Sequence, residues 1–333
     1  MRIKLSYHFA EEPIFRQTPQ GLGLWKGHQF FGNDRASPQC DFWVVLEDLA
    51  YEEEVAQVGS GRSVLISLEP PRPRKYPPGF LAQFDLIVSC HRDLPHSNVR
   101  HDCLGFPWHL GLNKGANAAQ LSSRPTLDFD ALSEMKMPDK PRALSVICSR
   151  ASGLPGHAAR RKFVEELQAE LGDRVDVFGR DVRPIADKAD AIVPYRYHIV
   201  LENSRLPDYW TEKLADSYLG WSFPIYWGCP NVTDYFGRDS LIEIDISRPQ
   251  EAIALIKALG DEKPTAKQVA ALATARALVL DSYNTFDVVR RACESLPPAA
   301  PREIVIRSQR AFRPRKLQRL LTSAARRLSF TSR

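Results

Sequence analysis

The 333-residue chain has no apolar stretch approaching the roughly 20 residues that cross a bilayer as a helix, so the sequence predicts no membrane span. It has no CxxC pair. Its six cysteines (Cys40, Cys90, Cys103, Cys148, Cys229 and Cys293) stand apart, with no histidine at zinc spacing from any of them. That pattern excludes a disulfide framework and a zinc module, and predicts reduced thiols in a cytoplasmic protein. There is no internal repeat. The opening residues Met1–Tyr7 alternate polar and apolar side chains and read as a first strand rather than a signal peptide. Acidic residues are absent from Arg307 to Arg333, where nine basic ones occur, so the net charge of +5 divides into a +9 end and a −4 body. A body of that charge lacks the basic face that nucleic-acid recognition needs.

What is present is ordinary globular material. With 44% hydrophobic and 26% charged residues the chain can bury the cores of two domains, and it is not disordered. Short apolar strands are predicted near 3–9, 42–46, 64–68 and 86–89, separated by Pro- and Gly-rich loops. The longest, Glu69-Pro70-Pro71-Arg72-Pro73-Arg74-Lys75-Tyr76-Pro77-Pro78-Gly79, can be neither a helix nor a central strand. Residues 111–141 read as an interdomain linker. A second α/β unit follows, with strands at 143–148, 175–178, 198–201, 223–227 and 241–244. Helices are predicted after the 149–156 loop and at 212–219, 250–259 and 266–283. Strands alternating with helices predict a parallel sheet in each half, with ligands bound outside the carboxyl ends of the strands. The boundaries predicted are 1–140, 141–300 and a basic tail, 301–333.

Three places carry chemistry. In the segment from Tyr195 to Lys213, a strand ends in Glu202-Asn203-Ser204 and a short loop containing Tyr209 leads to Thr211, which is set to cap a helix. Glu212 and Lys213 then occupy the first turn. A lysine there opposes the helix dipole, and a bound phosphate is one reason for it; a capped surface helix is the plainer alternative. Arg160, beside Arg161 and Lys162, opens the helix after the 149–156 loop and is a candidate diphosphate clamp, or a solvated charge. Glu69 ends an apolar strand. Partial desolvation in a cleft would tune it as a general base, whereas an exposed loop glutamate would have no such role. Asp128-Phe129-Asp130 has the form of a manganese-binding DxD but follows no apolar strand and is read as chance. His91, His96, His101 and His109 are assigned no role.

The ordered pieces Tyr195-Arg196-Tyr197, Glu202-Asn203-Ser204, Tyr209-Trp210-Thr211-Glu212-Lys213 and Phe223-Pro224-Ile225-Tyr226-Trp227-Gly228 resemble the α1,3/4-fucosyltransferases of glycosyltransferase family 10, of bacterial type. The resemblance covers roughly 143–260 and extends weakly upstream to Arg160 and Glu69. It implies a GT-B fold of two Rossmann-like domains facing a cleft, and inverting transfer of L-fucose from GDP-fucose to a glycan hydroxyl, α1,3-linked to a GlcNAc-type or lipid-linked sugar. No cofactor or essential metal is implied. Arg160 and Lys213 would hold the diphosphate. Glu212 would meet ribose or sugar hydroxyls, Glu202, Asn203 and Tyr209 would complete the donor pocket, and Glu69 would be the base. Leu201 and Trp210 depart from the family's usual residues. The alternatives are a GT-B enzyme using another nucleotide sugar and a catalytically silent sugar-nucleotide-binding protein at a membrane surface. At the C-terminus, Leu317, Leu320, Leu321, Ala324 and Leu328 recur at helical spacing opposite Lys316, Arg319, Arg326 and Arg327. This predicts a basic amphipathic helix for an anionic membrane surface, and peripheral attachment at the inner face.

Overall fold

The computed structural model describes residues 1–9, 13–34, 39–71, 75–112, 126–148, 155–179, 182–259 and 262–313. The first half supplies strands β1 (Arg2–Tyr7), β2 (Leu24–Trp25), β3 (His28–Gly32), β4 (Gln39–Cys40), β5 (Phe42–Leu46), β6 (Glu53–Val58), β7 (Ser63–Ile66), β8 (Leu86–Val88) and β9 (Val99–Arg100), with a single-turn helix α1 (Pro78–Leu81). Seven of them form one sheet in the order β2-β3-β1-β5-β7-β8-β9, parallel except where β2 folds back on β3. Every side chain of β5 and β7 is buried, as unbroken apolar runs require when both faces of a parallel sheet are covered.

The segment read as a linker contains α2 (Phe129–Glu134), with Leu132 buried beneath it. The Asp128 side chain caps this helix by accepting the Ala131 N–H, and Asp130 accepts the Gln20 N–H at 2.7 Å, so both carboxylates of the DxD have structural work. The second lobe follows: β10 (Arg142–Ile147), α3 (Pro155–Leu171), β11 (Asp176–Phe178), α4 (Ala189–Ile192), β12 (Tyr195–Leu201), α5 (Glu212–Leu219), β13 (Phe223–Trp227), α6 (Thr233–Phe236), β14 (Ile242–Glu243), α7 (Pro249–Leu259) and α8 (Ala266–Leu280). Its sheet runs β11-β10-β12-β13-β14 and is parallel throughout. Phe163, Val164, Leu167 and Leu171 are the buried face of α3, as their spacing predicts. Two α/β lobes, each built on a mainly parallel sheet, are thus the architecture expected from the sequence.

After the second lobe the described residues return to the first, and here the predicted boundaries fail. Helix α9 (Thr285–Glu294) crosses back. Phe286 packs edge-on against Phe30 with ring centroids 5.1 Å apart, and Asp287 accepts the Trp25 indole N–H at 3.1 Å. Strand β15 (Arg302–Arg307) then pairs antiparallel with β6, which lies parallel to β4 in a separate three-stranded sheet. Residues 301–313, predicted as the start of a tail, are therefore part of the first lobe. The physical reason is burial: Ile304, Ile306 and Gln309 are enclosed, and alternation along β15 turns Ile304 and Ile306 inward while Val305 faces out. The amphipathic segment proper, 314–333, lies outside the described residues. Among the described residues, no helix is long and apolar enough to cross a membrane. All six cysteines are buried with free thiols.

Candidate functional site

The carboxyl end of β12 is where the sequence signals converge. Thr211 is the N-cap of α5, its hydroxyl accepting the Lys213 N–H at 3.3 Å. Its own N–H and O–H donate to the two oxygens of Glu202, each at 2.8 Å. Glu202 is wholly enclosed, and a Cβ added at Gly228 would lie 2.4 Å from its Cγ. Burial pushes the Glu202 carboxyl up, and the Lys213 ammonium 3.5 Å away partly offsets it. Glu202 was expected to line the donor pocket. It instead lies one layer beneath and staples the turn that presents its neighbours.

Those neighbours, Glu212 and Lys213, are partly open. The Lys213 ammonium stands 3.3 Å from Glu212 as well as near Glu202, so two carboxylates already account for a lysine in the first turn of a helix. Lys188 lies 3.4 Å from Glu212 and 2.8 Å from the fully buried Asp216. Burial alone would push the Lys188 ammonium down, but Asp216 and Glu212 raise it above its ordinary value. Burial likewise opposes ionisation of Glu212, yet Lys213, Lys188 and His109, whose Nδ1 is 3.7 Å away, hold its carboxyl well below the usual range. An anion so held can only accept hydrogen bonds. Asp216 also accepts the backbone N–H groups of His109 and Leu110, each at 2.9 Å, which pins the crossover between the lobes to α5.

Arg160 is buried on α3, where its Nη1 donates to the Leu201 carbonyl at 2.9 Å, while its Nε has no acceptor among the described residues. Arg160 and Lys213 thus adjoin consecutive residues, Leu201 and Glu202, at the end of β12. Asn203 follows, half-buried. Arg161 and Lys162 point outward to Glu165 and Glu166 on the helix surface. Trp210 turns away into an aromatic cluster with Phe236 and Tyr283, its ring 4.9 and 5.4 Å from theirs, so that departure from the family pattern is absorbed by the core.

The first lobe meets this cluster edge to edge. Arg92, just past β8, is paired with Asp208, which occupies the left-handed region (φ 61°) and is held by Asn231 and Tyr235 at 2.8 and 2.7 Å. Phe106 packs edge-on against Tyr209, with centroids 5.9 Å apart. Tyr209 is buried, which pushes its phenol well above its ordinary value, and the fields of Glu202, Glu212 and Glu69 push it the same way. Glu69 of the first lobe is thus near enough for its charge to act on the Tyr209 phenol. Glu69 is where the sequence places it, at the carboxyl end of β7, but it is exposed rather than desolvated. His91, His109, Lys188 and Glu47 were not foreseen. Each reaches its partner across 22 or more residues of sequence, and no local pattern marks it. Among the described residues, no group of three or more metal-ligating side chains converges.

Comparison with known proteins places this geometry. Residues 138–268 match the family described as glycosyltransferase family 10 (fucosyltransferase), C-terminal region. The chain is 34% identical over 80 residues to the α-(1,3)-fucosyltransferase FucT of Helicobacter pylori, a stretch covering 24% of this chain and 17% of that protein. It is also 34% identical over 95 residues to the 4-galactosyl-N-acetylglucosaminide 3-α-L-fucosyltransferase FUT6 of Homo sapiens, covering 27% of this chain and 26% of that one. The matched stretches thus span about a quarter or less of those relatives. A crystal structure of an α1,3-fucosyltransferase with GDP-fucose superposes with a TM-score of 0.48 at 18% identity, over 83% of this chain and 82% of that one. The stretch that matches glycosyltransferase family 10, residues 138–268, is the one that carries Arg160, Glu202, Glu212 and Lys213.

Proposed function

We propose that this protein is an inverting fucosyltransferase that moves L-fucose from GDP-fucose to a hydroxyl of a glycan acceptor. The observation that carries the proposal is the convergence at the carboxyl end of β12: two cations, Arg160 and Lys213, beside a hydrogen-bond-accepting Glu212, with Tyr209 packed on Phe106 of the facing lobe. In this reading the Glu69 carboxylate takes the acceptor hydroxyl proton as that oxygen attacks the anomeric carbon. The bond from that carbon to the diphosphate breaks on the opposite side, which inverts the centre. Arg160 and Lys213 meet the charge developing on the leaving GDP, Glu212 accepts hydroxyl hydrogen bonds from the donor, and Asn203 and Tyr209 border the pocket. Because Glu69 is exposed, its desolvation would come from the acceptor and the lobes closing over it.

The test is Glu69→Gln, with transfer and GDP binding measured on one preparation. Transfer should fall by about a hundredfold or more while GDP affinity stays within twofold. Near-normal transfer removes Glu69 from its role.

We further propose that residues 314–333 bind an anionic membrane surface, as a basic amphipathic helix would, which suits a lipid-linked acceptor and peripheral attachment. Cosedimentation with phosphatidylserine vesicles should be lost on deleting 314–333, and unchanged cosedimentation rejects this part of the reading.

A further inference from the structure

The exposed Glu69 sits on a backbone held by buried polar groups. One oxygen of Glu47, Oε2, accepts the N–H of Leu68 at 2.8 Å and that of Glu69 at 3.1 Å. The same oxygen accepts the Tyr76 hydroxyl at 2.7 Å. On the other side of the residue, the Glu69 carbonyl lies 2.7 Å from His91 Nε2. A carbonyl can only accept, so His91 carries its proton on Nε2. Tyr76 closes the ring of contacts, packing edge-on against the His91 imidazole with centroids 5.2 Å apart. Glu47, His91 and Tyr76 are 1%, 5% and 6% exposed. Pro70 follows Glu69 and narrows its backbone freedom further.

Glu47 is itself held at a cost. It lies in the left-handed region at φ 68°, which disfavours a non-glycine residue by roughly 1 kcal/mol. Its N–H donates to the Ile66 carbonyl at 2.9 Å, and its carbonyl accepts the Gln309 amide at 3.1 Å. His91 is set in the same manner, its N–H donating to the Ser89 hydroxyl at 3.0 Å. A buried carboxylate and a buried imidazole thus hold the two sides of one peptide segment, with the Tyr76 phenol bonded to the first and its ring packed on the second, and of Leu68, Glu69 and Pro70 it is Glu69 whose side chain is exposed.

We propose that Glu47, Tyr76 and His91 form a positioning clamp that aims the Glu69 carboxylate into the interlobe cleft. The clamp rests on the reading of Glu69 as the base. It sets the direction of the Cα–Cβ bond through the backbone, and none of its members touches the substrate. The alternative is that these groups merely close the end of β7, and the two make different predictions.

The test compares Tyr76→Phe, Glu47→Ala and Glu47→Gln, alone and combined with Glu69→Gln. A clamp predicts a fall in kcat of roughly tenfold for Tyr76→Phe and roughly a hundredfold for Glu47→Ala, the scale of ångström misplacement at a reacting centre. It predicts unchanged GDP affinity, recovery of most of the rate in Glu47→Gln, which keeps an acceptor oxygen, and no further loss on the Glu69→Gln background. Wild-type kcat in Tyr76→Phe and Glu47→Gln together with Glu47→Ala overturns the clamp. So does a loss that persists undiminished on the Glu69→Gln background, or one that follows the folded fraction. Should Glu47→Ala fail to fold, Tyr76→Phe, which deletes one hydroxyl, decides alone. If Glu69→Gln itself transfers normally, the base assignment falls and takes the clamp with it, a result distinguishable from failure of the clamp with the base intact.

Discussion

Glu202 shows how a residue can be legible in sequence and still be misread. Its place after an apolar strand and nine residues before Thr211 marks it as part of the site, but the hydrogen bonds that occupy both oxygens make it a support rather than a contact. The cap Thr211 and the first-turn pair Glu212 and Lys213 were readable because capping is local, settled by residues adjacent in sequence. The partners of Glu212 were not: His109 and Lys188 arrive from the interlobe crossover and from before α4. Replacing Glu202 by Ala removes two hydrogen bonds to a carboxylate and one ion pair, and should lower unfolding free energy by roughly 2–3 kcal/mol. It should also weaken GDP binding, since Lys213 loses a partner that orients it. Denaturant titration and calorimetric GDP binding check both, and a variant as stable as the wild type contradicts the staple.

At the level of elements, the strands of the second sheet and β1, β5, β7 and β8 of the first were readable from short apolar runs, and α3 and α5 from periodicity and capping, whereas β2, β3 and β9 were not. The elements that were missed are those whose form depends on a distant partner. Strand β15 alternates weakly, as Glu303-Ile304-Val305-Ile306, and becomes a strand by pairing with β6, some 250 residues earlier in the chain. Helix α9 was not predicted: the helix read over 266–283 overruns α8 by three residues and stops just before Asn284, the cap of α9, whose buried face is defined by docking on the first lobe. The tail consequently begins after Arg313, not at 301. Deleting 314–333 should leave the melting temperature unchanged. Deleting 302–333 also removes β15 and the Gln309 amide that supports Glu47, and should lower it by several degrees or abolish folding. Equal melting of the two truncations contradicts the assignment of β15 to the first lobe.

At the scale of the whole molecule, the two lobes are joined by more than the linker. Asp287 on α9 accepts the Trp25 indole N–H and pairs with Lys26, Arg290 and Arg291, anchoring the returning helix to the first lobe. Burial works against its ionisation, but Arg290, Trp25 and Lys26 prevail and bring its carboxyl down to about 2. A carboxyl lowered on folding adds stability that is complete above the unfolded value, roughly 4, and disappears as pH falls through the folded one. Asp287→Asn should therefore cost roughly 1–2 kcal/mol at pH 7, partly screened because Lys26 and Arg291 face solvent. The gap to the wild type should narrow between about pH 4 and pH 2. A gap that does not change over that interval contradicts the assignment.

The division of charge acquires its meaning at this scale too. The acidic body places two cations, Arg160 and Lys213, beside consecutive residues at the end of β12, and the basic end lies beyond the matched region, where on the proposed reading it governs location rather than chemistry.

The central claim is inverting transfer of fucose by this chain. Its most direct measurement is an NMR assignment of the product formed by the purified protein from GDP-β-L-fucose and a panel of N-acetyllactosamine-type and lipid-linked acceptors. Inverting transfer yields a single new α-linked fucosyl residue, with GDP released in equal amount. A β-linked product, or consumption of a different nucleotide sugar while GDP-fucose stays intact, would contradict it.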